Sequence, residues 1–295
     1  MRIAKNWIDY ELLDTSCGER LERWGNVILI RPDPQIIWNT PKNNILWNNY
    51  NAKYIRSNKG GGHWEIKKPF SDEWVINYKN LKFLIKPTGF KHTGLFVEQA
   101  VNWDFIQDTI KNSNKNIKLL NLFAYTGGAT LAAASAGAQV CHVDSSKGVV
   151  SWAKENATLS NLAQKPIRWI IDDCYKFITR EYKRNNKYDT IVLDPPSYGR
   201  GPNGEIWKLE ENIYNLLDMC VNILSDEPLF LVLNSYSTGL SNGVMSYLMQ
   251  SILINHFGKS IIDKIEIVSD EIGLPVSNNN LILPSGCTTI VQFKN

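Results

Sequence analysis

Three observations in this 295-residue chain predict an α/β fold, a Rossmann-like parallel sheet preceded by a small β-rich module. From about residue 118 onward, short apolar runs alternate with helix-length amphipathic stretches, the pattern of β-α-β units wound around a sheet. The stretch Lys118-Leu-Leu-Asn-Leu-Phe-Ala-Tyr-Thr-Gly-Gly-Ala-Thr130 passes from an apolar strand through a glycine turn into a helix of small residues. That order makes a nucleotide-binding corner, because glycine lets a ligand approach the backbone at a helix N-terminus. Residues 1–90 differ in kind: they hold six of the ten tryptophans, and nine Lys and five Arg against nine acids. The predicted organisation is a β-rich, Trp-rich substrate-recognition module over 1–90 and a cofactor-binding domain over 91–295.

Composition narrows the class before any element is placed. With 43% hydrophobic residues the chain can bury a full core. A formal net charge of +3 announces no global polyanion-binding field. The five cysteines show neither paired metal spacing nor a secreted disulfide framework, and the four histidines are scattered. We therefore expect no metal site and a reducing, cytoplasmic location. The N-terminus lacks the apolar core of a signal peptide, and no run is long enough to span a membrane.

In the first module, Val27–Arg31, His63–Ile66, Trp74–Tyr78 and Leu81–Ile85 read as short strands of a twisted antiparallel sheet. Pro32-Asp-Pro34, Gly60-Gly-Gly62 and Tyr78-Lys-Asn80 separate them. From Lys53 to Lys91, nine basic residues stand against three acids, interleaved with Tyr54, Trp64, Phe70, Trp74 and Tyr78. Two readings fit: a phosphate-contacting, base-stacking surface, or aromatics packed in a core beneath a solvated basic face.

A helix over about Val97–Asn112 leads into the second domain. Strands are expected at Lys118–Phe123, Gln139–Asp144, Ile167–Ile171, Asp189–Leu193 and Leu229–Asn234. Helices fill the gaps at Thr130–Ala136, Val149–Asn161, Cys174–Lys183, Ile206–Leu224 and Val244–Phe257. Two last strands, Ile261–Ser269 and Thr288–Phe293, follow without a crossover helix and so should pair antiparallel.

Candidate site residues lie where these strands end. Asp144, about twenty residues beyond the corner, stands where a ribose hydroxyl pair would be held. It could instead cap the following helix, but the neighbouring corner favours the ribose. Of Asp172 and Asp173, either could accept an adenine amino group; Asp173, at the helix entrance, is the better placed. In Asp194-Pro-Pro-Ser-Tyr-Gly199, two prolines remove two amide donors. The Asp194 carboxylate and the Pro195 carbonyl remain as acceptors, suited to an amino group that donates hydrogens while its lone pair faces a methyl. Tyr198 could stack on a base, or pack as part of a rigid turn. The corner itself, Tyr125-Thr-Gly-Gly-Ala-Thr130, does not match the G-x-G-x-x-G of a dinucleotide dehydrogenase.

Taken together, Lys91-His-Thr-Gly-Leu-Phe-Val-Glu-Gln99, Asn121-Leu-Phe-Ala-Tyr-Thr-Gly127, His142-Val-Asp-Ser-Ser-Lys147, Trp152-Ala-Lys-Glu-Asn156 and Leu193-Asp-Pro-Pro-Ser-Tyr198 resemble one family. The chain is similar to the bacterial class I S-adenosylmethionine-dependent methyltransferases related to large-subunit ribosomal RNA methyltransferases of the Asp-Pro-Pro-x-Phe/Tyr type. The resemblance implies a seven-stranded sheet, S-adenosyl-L-methionine as cofactor and RNA, most often rRNA, as partner. It implies that Gln99, Phe123, Tyr125, Thr126 and Gly127 line the methionine and adenosine sites. Asp144 would hold the ribose and Asp173 the adenine, with Asp194 near the transferred methyl. Two departures bear on the substrate. No PUA RNA-binding module is recognisable, and Ser197 separates Asp-Pro-Pro from its aromatic residue.

The chemistry can be narrowed once more. Methylation at pyrimidine C5 needs a thiolate that adds to C6, which family members place in a turn after the fifth strand. Here that turn reads Leu233-Asn-Ser-Tyr-Ser237, without a thiol. Transfer to a nitrogen is therefore expected. A small-molecule methyltransferase, and a non-catalytic RNA-binding protein with a degenerate fold, are the alternatives.

Overall fold

The computed structural model describes residues 1–57, 61–200, 206–237 and 239–294. Gly60 of the expected Gly60–Gly62 turn lies outside the described residues. The chain divides into two units: Asn102–Ile272 with Ser285–Asn295 and Met1–Arg2, and Ile3–Val101 with Gly273–Pro284.

The larger unit is built on seven strands. These are β1 (Lys118–Leu122), β2 (Gln139–Asp144), β3 (Ile167–Ile171), β4 (Thr190–Leu193), β5 (Phe230–Ser235), β6 (Ile265–Pro275) and β7 (Ile282–Phe293). Their order is β6-β7-β5-β4-β1-β2-β3, with Arg2–Ile3 added beside β6. Strands β1 to β5 are parallel, and β7 runs antiparallel to β5. Six helices accompany them: α1 (Ala100–Ser113), α2 (Gly128–Ser135), α3 (Lys147–Leu159), α4 (Cys174–Lys183), α5 (Leu209–Asn222) and α6 (Asn242–Phe257). No described helix is long and apolar enough to cross a membrane.

The sequence dictates this arrangement through burial. Leu119, Leu120 and Leu122 are fully buried, as a strand covered by helices on both faces must be. On one face α4, α5 and α6 supply Phe177, Leu217 and Met249 to a core with Leu120, Val143, Ile191 and Leu231. On the other, the Asn121 amide donates to Thr130 Oγ1 at 2.9 Å, and Thr130 Oγ1 lies 2.9 Å from His142 Nδ1. Burial pushes the His142 imidazole down to about 3, so it packs as a neutral ring. This polar chain ties β1, α2 and β2 together beneath the corner.

Because β1 is followed by β2 and β3 on one side and by β4 on the other, the winding reverses at β1. In open α/β sheets, ligand crevices open at the carboxyl ends of the strands beside such a reversal. Register brings the relevant ends level: Leu122 pairs with Val143 on one side and with Leu193 on the other.

The smaller unit contains a five-stranded sheet, Tyr10–Ser16, Glu19–Trp24, Val27–Pro32, Ala52–Arg56 and Gly62–Ile66, and a hairpin, Trp74–Tyr78 with Leu81–Ile85. Its first two strands escaped the sequence pattern because their buried positions include charge. Arg31 donates from Nε to Glu22 Oε2 at 2.6 Å and from Nη2 to Oε1 at 2.7 Å, and the Tyr10 hydroxyl donates to the same Oε1 at 2.8 Å. The guanidinium and hydroxyl donors hold the fully buried Glu22 carboxyl below the usual range against its desolvation. Several of the aromatics are framework. Tyr54 and Tyr78 are buried, and the indole N–H groups of Trp47, Trp64 and Trp74 donate to Asp14, to the Thr88 carbonyl and to the Trp24 carbonyl. Lys67 and Lys68 remain exposed on its surface.

The larger unit differs from expectation in two places. Lys259–Lys264 is a 3₁₀ turn, so the expected Ile261–Ser269 strand begins at Ile265 and runs to Pro275, and its partner begins at Ile282 rather than Thr288. The first turn of the expected Ile206–Leu224 helix is instead a short strand, Ile206–Lys208, paired with Tyr198–Arg200. Residue Trp207 is committed elsewhere, as described next.

Candidate functional site

Strand β1 stops at Leu122, and the next five residues form an unusual turn. Phe123, Tyr125 and Gly127 all take positive φ, at 54°, 49° and 92°. For the two aromatics the left-handed region costs about 1–2 kcal/mol each, so surrounding contacts must impose it. They are visible. The Phe123 N–H donates to Cys174 Sγ at 3.3 Å, and the Ala124 N–H to the Val143 carbonyl at 3.0 Å. The Tyr125 N–H donates to Asp144 Oδ2 at 3.0 Å, and the Asn156 amide to the Thr126 carbonyl at 2.9 Å. Strained backbone held by its surroundings is a mark of functional sites.

The glycines serve geometry. Gly127 supplies the left-handed turn. A Cβ on Gly128 would lie 2.6 Å from Cζ2 of the buried Trp103 ring, so the first turn of α2 can pack there only without a side chain.

Asp144 organises this corner. Besides Tyr125, its carboxylate accepts the Ser146 N–H at 2.9 Å. Burial raises its pKa, opposed by backbone donors from Ser146, Tyr125 and Ser145. A carboxylate offers about four acceptor positions, so three backbone donors leave capacity for a ligand hydroxyl. The cap of α3 is Ser146, whose Oγ accepts from the Val149 N–H; Asp144 is not needed for it.

The acids of the β3 end separate into two tasks. Asp173 is exposed and caps α4, accepting from the Lys176 N–H at 2.9 Å. Asp172 is ion-paired with Arg180.

On the far side of β1, Asp194 donates its N–H to the Leu122 carbonyl at 3.4 Å, keeping the turn after β4 level with the corner. Asp144 and Asp194 stand on the two strands flanking β1, so they are on the order of 10 Å apart across the crevice, at ~4.8 Å per strand step. Pro195 is buried and Pro196 exposed. The Pro196 carbonyl accepts from Trp207 Nε1 at 2.7 Å, and the Ser197 carbonyl from the Leu209 N–H at 3.1 Å. The Pro195 carbonyl has no partner among the described residues. Tyr198 is 52% exposed in the short hairpin.

The structure thus gathers Phe123, Tyr125, Thr126 and Gly127 in one turn, ties that turn to Asp144 through the Tyr125 N–H, and sets Asp194 level with it. Gln99 belongs to the other unit, where it is buried at the end of a 3₁₀ turn, Val97–Gln99. Three participants were not foreseen. Cys174 and Asn156 act on backbone groups, which no side-chain pattern reveals, and Trp207 packs its ring 5.7 Å from that of Phe123. Burial pushes the Cys174 thiol well above its usual range, so it is no thiolate nucleophile.

The chain is similar to known proteins. Residues 51–221 match the model of the S-adenosylmethionine-dependent methyltransferase family. The chain is 35% identical over 155 residues to the ribosomal RNA large subunit methyltransferase K/L of Shewanella oneidensis, covering 52% of this chain and 21% of that protein. It therefore spans about a fifth of the length of such curated relatives. The crystal structure of a SAM-dependent methyltransferase from Agrobacterium tumefaciens superposes with a TM-score of 0.90 at 35% identity, over 98% of this chain and 93% of that one. SMU.776, a putative methyltransferase solved with SAH, shares the fold with a TM-score of 0.73 at 16% identity, over 97% and 76% of the two chains.

Proposed function

The chain belongs to the S-adenosylmethionine-dependent methyltransferases, and on that premise we propose that it methylates a base nitrogen in RNA, with large-subunit ribosomal RNA as substrate. When bound, S-adenosylmethionine supplies an electrophilic methyl group on a sulfonium. The residues of this chain do the rest by alignment and exclusion of water.

The observation that carries the reading is the turn at the β4 end, where Asp194 and Pro195 stand level with the corner after β1. Asp194 and the Pro195 carbonyl offer lone pairs with no neighbouring proline N–H to compete. An exocyclic amine can donate one hydrogen to each and present its own lone pair to the crevice. In this reading Asp144 holds the ribose, with Phe123, Tyr125, Thr126 and Gly127 shaping the nucleoside and methionine pockets. Asp173 meets the adenine edge. Tyr198, half exposed beside the turn, stacks on the base. The RNA assignment draws support from the name of the Shewanella relatives and from the exposed Lys67 and Lys68. The five free cysteines fit a cytoplasmic location.

Absence of a nucleophilic thiol favours nitrogen over C5. Cys174 and Cys287 are both buried with raised pKa, and Cys287, opposite Ser235 in the sheet, donates to Asn242. Purified chain, methyl-labelled S-adenosylmethionine and rRNA from a strain lacking the gene test the reading. Label is expected in one N-methyl nucleoside. Label in 5-methylcytidine, a covalent adduct with 5-fluoropyrimidine RNA, or transfer only to small metabolites would contradict it.

A further inference from the structure

The short hairpin after β4 carries a side chain that the proposed chemistry does not use. Trp207 stands opposite Gly199 in that hairpin. Its indole N–H donates to the Pro196 carbonyl at 2.7 Å, and its ring lies 5.7 Å from the Phe123 ring at a 45° tilt. Phe123 is in turn the strained residue whose N–H is held by Cys174 Sγ. One side chain therefore touches both loops of the crevice, the corner after β1 and the acceptor turn after β4.

The acceptor turn needs such a partner. Neither Pro195 nor Pro196 has an N–H, so the turn cannot fix its own carbonyl directions through local amide bonds. Backbone bonds anchor its two ends, at Asp194 and Ser197, and the Trp207 indole supplies the donor to the Pro196 carbonyl between them. Because the Pro196 ring fixes φ, holding that peptide leaves one torsion, the Pro196 ψ, between it and the preceding Pro195 carbonyl. An indole committed to packing alone would need only burial. Here its hydrogen bond is spent on the one segment whose orientation the transfer geometry depends on.

We propose that Trp207 is a positioning residue for methyl transfer: its N–H sets the Asp194–Pro196 acceptor turn, and its ring supports Phe123 in the cofactor corner. The proposal rests on the reading of Asp194 and Pro195 as the groups that orient the acceptor amine. Its two halves separate by substitution. Trp207→Phe keeps an aromatic ring against Phe123 and removes the donor. Trp207→Ala removes both.

The experiment measures SAH affinity by calorimetry and steady-state methylation of unmodified rRNA for wild type and both variants. Trp207→Phe should bind SAH within twofold of wild type while kcat falls about 10- to 100-fold, the scale of loss that a misplacement near 1 Å produces. Trp207→Ala should lose kcat and also bind SAH about tenfold more weakly. A purely structural tryptophan would move both quantities together in both variants, following thermal stability. Unchanged kcat in Trp207→Phe, or unchanged SAH affinity in Trp207→Ala, overturns the proposal. If wild type binds SAH but methylates no rRNA, the substrate reading falls, and the SAH affinity of Trp207→Ala decides the coupling alone.

Discussion

Replacing Asp144 by alanine removes two things at once, and the structure allows each to be sized. The carboxylate is proposed to accept a ribose hydroxyl, a charge-assisted bond worth roughly 1.5–3 kcal/mol. It also anchors the Tyr125 and Ser146 N–H groups, so the turn that holds Tyr125 at a φ of 49° loses a fastening. The ligand contact alone predicts SAH binding weaker by about 10- to 150-fold, and loosening of the turn adds to it. Asp144→Asn keeps one acceptor but turns an amide toward one of the backbone donors, and should fall between wild type and Asp144→Ala. The sign with pH follows from burial. Burial raises the Asp144 carboxyl above its ordinary aspartate value, and its ionised form is the better hydroxyl acceptor. SAH affinity should therefore decline on acidification at a higher pH than a normal aspartate would cause. In Asp144→Asn that decline should vanish. Calorimetry across pH measures all of this. Wild-type affinity in Asp144→Ala would refute the reasoning.

Three further outcomes are expected. Asp194→Ala should abolish turnover while SAH affinity stays within twofold, since the acid faces the acceptor; retained turnover in a labelled-methyl assay would exclude that role. Reversing both charges in Lys67→Glu/Lys68→Glu should weaken RNA binding and reduce the slope of log affinity against log salt by about two, leaving SAH binding unchanged. Filter binding across a salt series reads this directly. Gly128→Ala should destabilise the fold by about 1–3 kcal/mol through overpacking, because the new methyl meets the buried Trp103 ring. A melting curve should show the midpoint lowered by several degrees, and an unchanged midpoint would mean the ring yields freely.

Much of the larger unit can be read from sequence because its central strands β1, β4 and β5 are buried on both faces. Gln139–Asp144, Ile167–Ile171 and Cys174–Lys183 are delimited by their own residues: an acid ends β2, and Asp173 caps α4. The hairpin Trp74–Tyr78 with Leu81–Ile85 is equally plain, separated by a tight turn at Lys79–Asn80. Elsewhere the deciding partner is remote. Tyr10–Ser16 and Glu19–Trp24 hide their strand pattern because Asp14 and Glu22 are buried, one under the Trp47 indole and one against Arg31. Ile206–Lys208 has helix-forming neighbours, yet the Trp207 indole is drawn to a carbonyl eleven residues back. At the site, motif residues that end strands could be found as side chains in a pattern. Cys174, Asn156 and Trp207 could not, because each acts on a backbone group that only the folded turn presents.

The central claim, transfer of a methyl group to a nitrogen of ribosomal RNA through the Asp194–Pro195 acceptors, meets its most direct test in the cell. Nucleoside-resolved methylation profiling of rRNA would compare a deletion strain with strains complemented by wild type and by Asp194→Ala. The account predicts loss of a single N-methylated base, restored by wild type and not by Asp194→Ala. An rRNA profile unchanged by the deletion, or a missing C5-methyl pyrimidine, would contradict it.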